Sequence, residues 1–240
     1  EALQALLKAG DKNGAAICYN SMGNIYTTQG NYPLALECLH NGLKIREEMQ
    51  EIKAVSKSLV SIGSIYFTQK NYEKALEYNQ KVIEIAGNAG DKHTLAGGLL
   101  NIGLIYMQTN NEQAMEYLQK ALVISKDLKI LPLQINILLN TGLFYYKHSE
   151  KEKALEFYQE ALSLSEENGM KSSESLAKLQ TAIIYYDQKE FSRALDYARS
   201  SLEIARNLKI IETEKDLHNL LAEIYAKTNN FKGAYIHNQL

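Results

Sequence analysis

The sequence predicts an all-α chain of paired helices stacked as a solenoid. Three observations predict it. One stretch of text recurs six times with a period of 40 residues. The composition is helix-compatible, rich in Leu, Ala, Lys and Glu, with only 2 prolines in 240 residues. Gly and Asn gather between the recurring segments, where helices end and begin.

The recurring segments are SMGNIYTTQGNYPLALECL from Ser21, SIGSIYFTQKNYEKALEYN from Ser61, NIGLIYMQTNNEQAMEYL from Asn101, NTGLFYYKHSEKEKALEFY from Asn140, QTAIIYYDQKEFSRALDYA from Gln180 and LLAEIYAKTNNFKGAYIHN from Leu220. Each holds a small residue: Gly23, Gly63, Gly103, Gly142, Ala182, Ala222. Each holds a tyrosine three residues later: Tyr26, Tyr66, Tyr106, Tyr145, Tyr185, Tyr225. A second small residue follows: Ala35, Ala75, Ala114, Ala154, Ala194, Ala234. Within each series the spacing is 40 with a single 39.

Glycine is poor in helix interiors, so four glycines at equivalent places require close packing of one helix on another. A leucine at Gly63 is expected to overpack and cost about 1–3 kcal/mol. The tyrosine one turn on fills the space between helices with an aromatic body. The alanine lets the second helix approach its neighbours.

The elements follow in order. Residues 1–9, EALQALLKA, read as the tail of a preceding second helix. First helices are expected over about 13–29, 52–69, 92–108, 131–147, 171–187 and 211–227. Second helices are expected over about 32–48, 72–87, 111–127, 151–167, 191–207 and from 231 onward. The repeats lie near 12–50, 51–90, 91–129, 130–169, 170–209 and 210–240, the last cut short, in a single domain over 1–240. Asn in QGNY, QKNY, TNNE and TNNF supplies helix caps, and Pro33 and Pro132 sit just inside helix starts, where a missing N–H is harmless. Neither end carries a polar capping element, so the chain is expected to belong to a longer protein.

These residues, small-x-x-Tyr, then Ala about nine later, then an aromatic, resemble the tetratricopeptide repeat over essentially the whole chain. The resemblance implies a right-handed superhelical solenoid of antiparallel helix pairs. Two departures stand out. The period is 40 rather than 34, and the early tryptophan is missing, since the chain has no Trp. The additional residues lie late in the second helix and its exit, so that helix or the next is expected to run about a turn longer.

The resemblance also implies that first helices line a concave face, with groove positions at minus six, minus three, minus two, plus one, plus four and plus five from the small residue. Carried over, these give Asn20, Asn24, Lys57, Ser61, Ser64, Phe67, Asn101, Met107, Asn140, Tyr146, Gln180 and Tyr186 as partner-binding candidates. An Asn or Gln amide both donates and accepts, so a row of them matches an extended peptide backbone. Phe67, Met107, Tyr146 and Tyr186 are expected to supply apolar pockets between them. Exposed helix faces also carry such side chains for solvation alone. The carboxylate clamp of one subgroup is missing: Asn20 stands where its first Lys belongs, and no Arg joins Asn101 or Asn140.

Other function classes lack their parts. Net charge is −2 with the signs interspersed, so no basic stripe invites nucleic acid. No apolar run approaches the length of a membrane span. His40, His93, His148, His218 and His237 fall at unrelated positions and make no metal spacing. NAGDK at Asn88–Lys92 has neither the Gly-Lys-Ser/Thr nor the preceding strand of a phosphate loop. Cys18 and Cys38 read as core-lining thiols. The chain is expected to be no enzyme and to need no cofactor or metal. Its expected partner is a protein or extended peptide, with self-association through uncapped ends.

Phrases such as NIGLIY, NYEKALEY and GDK resemble repeat arrays of bacterial sensor histidine kinases and related regulators of the Bacteroidetes type. That resemblance implies the sensor or docking region of a larger signalling protein, either cytoplasmic or extracytoplasmic. A peptide-pheromone-responsive regulator of quorum-sensing type and a passive scaffold are the alternatives.

Overall fold

The computed structural model describes residues 2–239. The described residues form thirteen α-helices and no strand. In order they are α1 (Ala2–Lys8), α2 (Lys12–Thr28), α3 (Tyr32–Glu48), α4 (Ile52–Thr68), α5 (Tyr72–Asn88), α6 (Lys92–Gln108), α7 (Ala114–Asp127), α8 (Leu131–Lys147), α9 (Lys151–Glu167), α10 (Lys171–Asp187), α11 (Phe191–Leu208), α12 (Ile211–Lys227) and α13 (Phe231–Asn238). They gather into two compact units, the first ending at Leu128 with α7 and the second beginning at Lys129 with α8. The expected single run of repeats thus consists of two packing units.

The joints explain the period. Most helices of both kinds have 17 residues, and three residues join most of them to the next. The additional length is therefore shared between the helices rather than confined to the second. Gln29–Gly30–Asn31 shows how a joint is built. Gly30 takes left-handed backbone with φ 72° and donates its N–H to Thr27 O at 3.0 Å. Asn31 donates its N–H to Tyr26 O at 2.9 Å, then accepts at its own carbonyl from Ala35 N–H at 3.0 Å. Asn31 thus closes one helix with a 6→1 bond and caps the next. Its side chain accepts from Leu34 N–H at 3.4 Å.

Every joint repeats the left-handed residue. A left-handed residue stands at Gly10, Gly30, Gln50, Lys70, Gly90, Asn110, Lys129, Ser149, Gly169, Lys189, Lys209 and Asn229. The interval is 20 residues with one of 19, between Asn110 and Lys129. That shorter interval locates the single 39 of the sequence. At the start of α7 the first closure is Ala114 N–H to Asn111 O, one residue tighter than Ala35 N–H to Asn31 O. The missing residue is absorbed by one tightened turn, which leaves α7 with 14 residues.

Within a repeat, the small residue of the first helix faces a fixed position on the second. A Cβ added at Gly23 would lie 2.7 Å from Leu39, at Gly63 2.8 Å from Asn79, at Gly103 2.9 Å from Leu118 and at Gly142 2.5 Å from Tyr158. Glycine thus faces a larger residue in four repeats. In the fifth, Ala182 occupies the small position, and both it and Ala198, at the corresponding place on α11, are fully buried. Three tyrosines of the repeat stack on an aromatic of the second helix: Tyr66 on Tyr78, Tyr145 on Phe157, Tyr185 on Tyr197. Tyr106 meets Tyr117 edge-on. Lys74, Lys153 and Arg193 lie over the tyrosine rings from one turn away. Cys38 is buried and Cys18 half-buried, both as free thiols.

Within each unit, neighbouring first helices touch: α2 with α4, α4 with α6, α8 with α10, α10 with α12. Among the described residues no two second helices of a unit do so. The first helices therefore form the tighter, inner layer of each unit.

Candidate functional site

Three of the sequence-selected residues meet in one pocket of the first unit. Ser64 and Phe67 of α4 and Asn101 of α6 line it together with Asn79 of α5, Leu104 and Ile105. Its volume is about 140 Å³. One wall is apolar, from Phe67, Leu104 and Ile105, and the floor is polar. Phe67 is held edge-on by Tyr72, ring centroids 5.8 Å apart.

Asn79 was not among the sequence candidates. It is 2 % exposed and faces Gly63. Its amide donates to Ala75 O at 2.8 Å, and its Oδ1 accepts from the Asn101 amide at 3.0 Å. Both Asn79 functions are thereby used, and the Asn101 side chain is held in one orientation. Asn101 keeps one N–H and its carbonyl oxygen, the complement of a peptide unit. The sequence held a signal for Asn79. Its column across the repeats reads Leu39, Asn79, Leu118, Tyr158, Ala198, Asn238, and of its two asparagines Asn79 is the buried one, a polar amide in a core position. The smaller Asn in place of Leu also leaves space above Gly63.

The remaining candidates are not brought to this pocket. Asn24 on α2 and Lys57 on α4 are exposed. Ser61 donates to its own helix at Lys57 O, as the pocket-lining Ser64 does at Val60 O. Asn20 donates to Ser58 Oγ at 3.4 Å, which also accepts from the buried Arg46 guanidinium at 2.7 Å, and Asn20 Oδ1 is buried without a partner. Asn20 thus belongs to a polar cluster under the face rather than to the face itself.

Met107 is a correction. It was expected to offer an apolar surface to a partner, yet it is 5 % exposed. At plus four on α6 its flexible side chain fills the interior. In the second unit, the Asn140 amide is occupied within α8, donating to Asn136 O at 2.8 Å and Oδ1 at 2.7 Å, so its oxygen alone remains for a ligand. Tyr146 was expected to be purely apolar, but its hydroxyl donates to Asp187 at 2.9 Å, and Asp187 also pairs with Lys151 at 3.3 Å. Burial, reinforced by Asp187, pushes the Tyr146 phenol up to about 12, so it remains a donor at neutral pH. Tyr186 is half-buried, and its phenol is raised by burial and by the neighbouring Glu223. Gln180 is half-buried on α10.

Family profiles described as tetratricopeptide repeat match residues 15–49, 55–127 and 135–168. The chain belongs to the tetratricopeptide-repeat family. No curated protein sequence matches it significantly. Solved tetratricopeptide-type structures share its fold at low identity. Aspartyl phosphate phosphatase F from Bacillus subtilis superposes with a TM-score of 0.77 at 18% identity, over 99% of this chain and 61% of that one. The signal transduction ATPase with numerous domains from Pyrococcus horikoshii, which carries a tetratricopeptide repeat sensor, gives 0.74 at 21%, over 93% and 35%. The Rap conjugation gene regulator of plasmid pLS20, in complex with the Phr* peptide, gives 0.71 at 16%, over 97% and 76%. This chain therefore spans less than two thirds of each of the first two. Among the described residues no helix is long and apolar enough to cross a membrane, and no three His, Cys, Asp or Glu residues gather to hold a metal.

Proposed function

We propose that this chain is a repeat module that grips an extended peptide or protein segment on the first-helix layer, with its anchor at Asn101. The observation that carries the reading is the Asn79–Asn101 hydrogen bond at the floor of the α4–α5–α6 pocket. A pre-oriented amide loses little freedom when it pairs with a peptide backbone. The apolar wall of Phe67 and Leu104 suits one aliphatic side chain beside that backbone pair. Lys57, Ser61 and Asn24 lie on the same layer of helices as outlying polar contacts. Asn140, Gln180, Tyr146 and Tyr186 play that part on the second unit. Likeness to a regulator solved with a bound peptide supports the peptide class.

At the level of the whole protein, the module is the sensor or docking region of a larger bacterial signalling protein. Likeness to an ATPase with a repeat sensor and to a Rap regulator supports that placement. The second reading is a peptide-pheromone-responsive regulator, favoured by the peptide-bound Rap neighbour. The module assists no bond-breaking step in either. Self-association belongs to the same reading, through the exposed Phe231 and Tyr235 of α13.

The test selects binders from a random-peptide library on the immobilised chain and titrates them by calorimetry. Asn101→Ala is expected to weaken a selected peptide about tenfold, the size of one lost oriented hydrogen bond. Wild-type affinity in Asn101→Ala would place the site elsewhere.

A further inference from the structure

A second pocket, of about 310 Å³, lies between α11, α12 and α13 and shares no residue with the first. Arg199, Arg206, Asn207, Tyr225 and His237 supply its polar lining. Its chemistry follows from counting protons through a chain of hydrogen bonds.

The chain starts at Arg206. Arg206 Nη2 lies 3.1 Å from His218 Nε2, and an arginine only donates. His218 Nε2 is therefore the acceptor. Glu214 Oε1, 3.7 Å from that nitrogen, is too far to take a proton from it and instead pairs with Arg206 Nε at 3.0 Å. The His218 proton then sits on Nδ1. That nitrogen is 2.7 Å from His237 Nδ1, which must accept. The His237 proton is left on Nε2. His218, 3 % exposed, is a buried relay that imposes this tautomer on a ring at the pocket wall.

The repeat pattern shows that His237 is an exchange of function. Its column reads Cys38, Tyr78, Tyr117, Phe157, Tyr197, His237. His237 still stacks on the repeat tyrosine, Tyr225, at 5.6 Å and 24°, as Phe157 does on Tyr145 at 5.4 Å and 11°. The ring packing is kept while an oriented N–H is gained.

The other groups are donors as well. Arg199 directs Nε and Nη2 to the Tyr225 hydroxyl. Tyr225 oxygen is thus an acceptor twice over, and its own hydrogen is free to donate. Among the described residues Arg199 has no carboxylate within ion-pair distance, in contrast to Arg206 with Glu214. The one acid in the lining, Glu203, is exposed on α11, where water screens it. A pocket rich in fixed donors, with a guanidinium that keeps N–H groups beyond the two given to Tyr225, takes a ligand that only accepts.

We propose that this pocket binds a phosphate group, held by Arg199 and by the Nε2–H of His237. A tetrahedral oxyanion offers acceptors toward α11 and α13 at once. The group arrives either as free phosphate or on a phosphorylated side chain.

The test is nitrogen-15 NMR of the histidine rings in the full chain, titrated separately with inorganic phosphate and with a phosphoserine tripeptide, against sodium chloride at equal ionic strength. The expected result is a saturable shift of His237 Nε2, with phosphate but not with chloride. Tighter binding of the tripeptide identifies the phosphorylated side chain as the source, and equal or weaker binding identifies free phosphate. Arg199→Gln is expected to weaken binding at least about tenfold. His237→Phe, which keeps the ring stack found at Phe157, is expected to do the same when followed by phosphorus-31 line width. A chloride-like response in the wild-type chain, or unchanged affinity in both variants with an intact backbone spectrum, would overturn the proposal.

Discussion

Asn79 holds Asn101: the half-buried end of the pair is set by a side chain that is 2 % exposed, through a 3.0 Å hydrogen bond from α6 to α5. The proposed recognition group and its positioning group thus lie on different helices of different repeats, and a variant at the buried one separates binding from stability.

Asn79→Leu restores the residue that Leu39 and Leu118 supply opposite Gly23 and Gly103. Removing a buried amide in favour of apolar contact is expected to leave stability unchanged or to raise it by about 1 kcal/mol. Peptide binding is expected to fall about tenfold as Asn101 loses its orientation and the pocket fills. Urea unfolding beside calorimetric titration reads both effects. Binding that survives in a stable Asn79→Leu chain would separate the peptide site from this pocket.

The glycine–partner column predicts a reversal of sign. Gly142→Ala alone drives a methyl against the Tyr158 ring and is expected to destabilise by about 1–3 kcal/mol. In the Tyr158→Ala background the same change leaves alanine on both sides, as at Ala182 and Ala198, and is expected to stabilise by up to about 1 kcal/mol through helix propensity. A double-mutant cycle of unfolding free energies measures the coupling. Additive effects would show that the ring and the backbone of α8 do not compete for space.

Eight of the joints place a non-glycine residue in left-handed backbone. Lys189, with φ 62°, is exposed, so Lys189→Gly is expected to stabilise by about 0.5–1 kcal/mol by removing the Cβ conflict. The converse is Gly30→Ala. A Cβ there meets nothing within 4 Å, so the expected loss of about 1 kcal/mol is conformational alone. Thermal melting of the two variants, which should move in opposite directions, checks the pair.

Docking of α13 depends on pH. Burial, followed by the charges of His218, Arg206 and Arg199, holds the His237 imidazole below its ordinary value of 6.5. The undocked ring takes up a proton more readily than the docked one, so docking is at full strength above 6.5 and weakens as pH falls below it. Protonation also leaves the Nδ1 atoms of His218 and His237 with no acceptor between them, while Glu214 and Tyr225 offer no substitute within the chain of bonds. Amide hydrogen exchange in α13 is expected to quicken between pH 7.5 and 5.5 relative to α10, after correction for intrinsic rates. His237→Phe is expected to abolish that difference.

Much of this was legible in the residues. The 40-residue register placed the first and second helices within a residue or two of their observed bounds, with α7 starting later than the register suggests. Helix ends are set by local chemistry, by which residue tolerates left-handed backbone and which side chain caps, and that chemistry is written contiguously. The packing columns were legible too, because Gly63 and its equivalents repeat one contact. The site was legible only in part. Ser64, Phe67 and Asn101 do share a pocket, whereas Met107 sank into the interior and Tyr146 turned its hydroxyl to Asp187.

The sequence by itself determined the solenoid: the repeat, its helices, its joints and the residues at which helices touch. Only the tertiary structure decided that the helices gather into two units, that Asn101 is held by Asn79, and that His237 is wired through His218 to Arg206. The reason is physical. Periodicity states which face of a helix a residue occupies, because the backbone turns at a constant rate. How deep that residue sits, and which polar atom meets it, depends on the side chain that a neighbouring helix presents at the same level, about 20 residues away in sequence and absent from any local pattern.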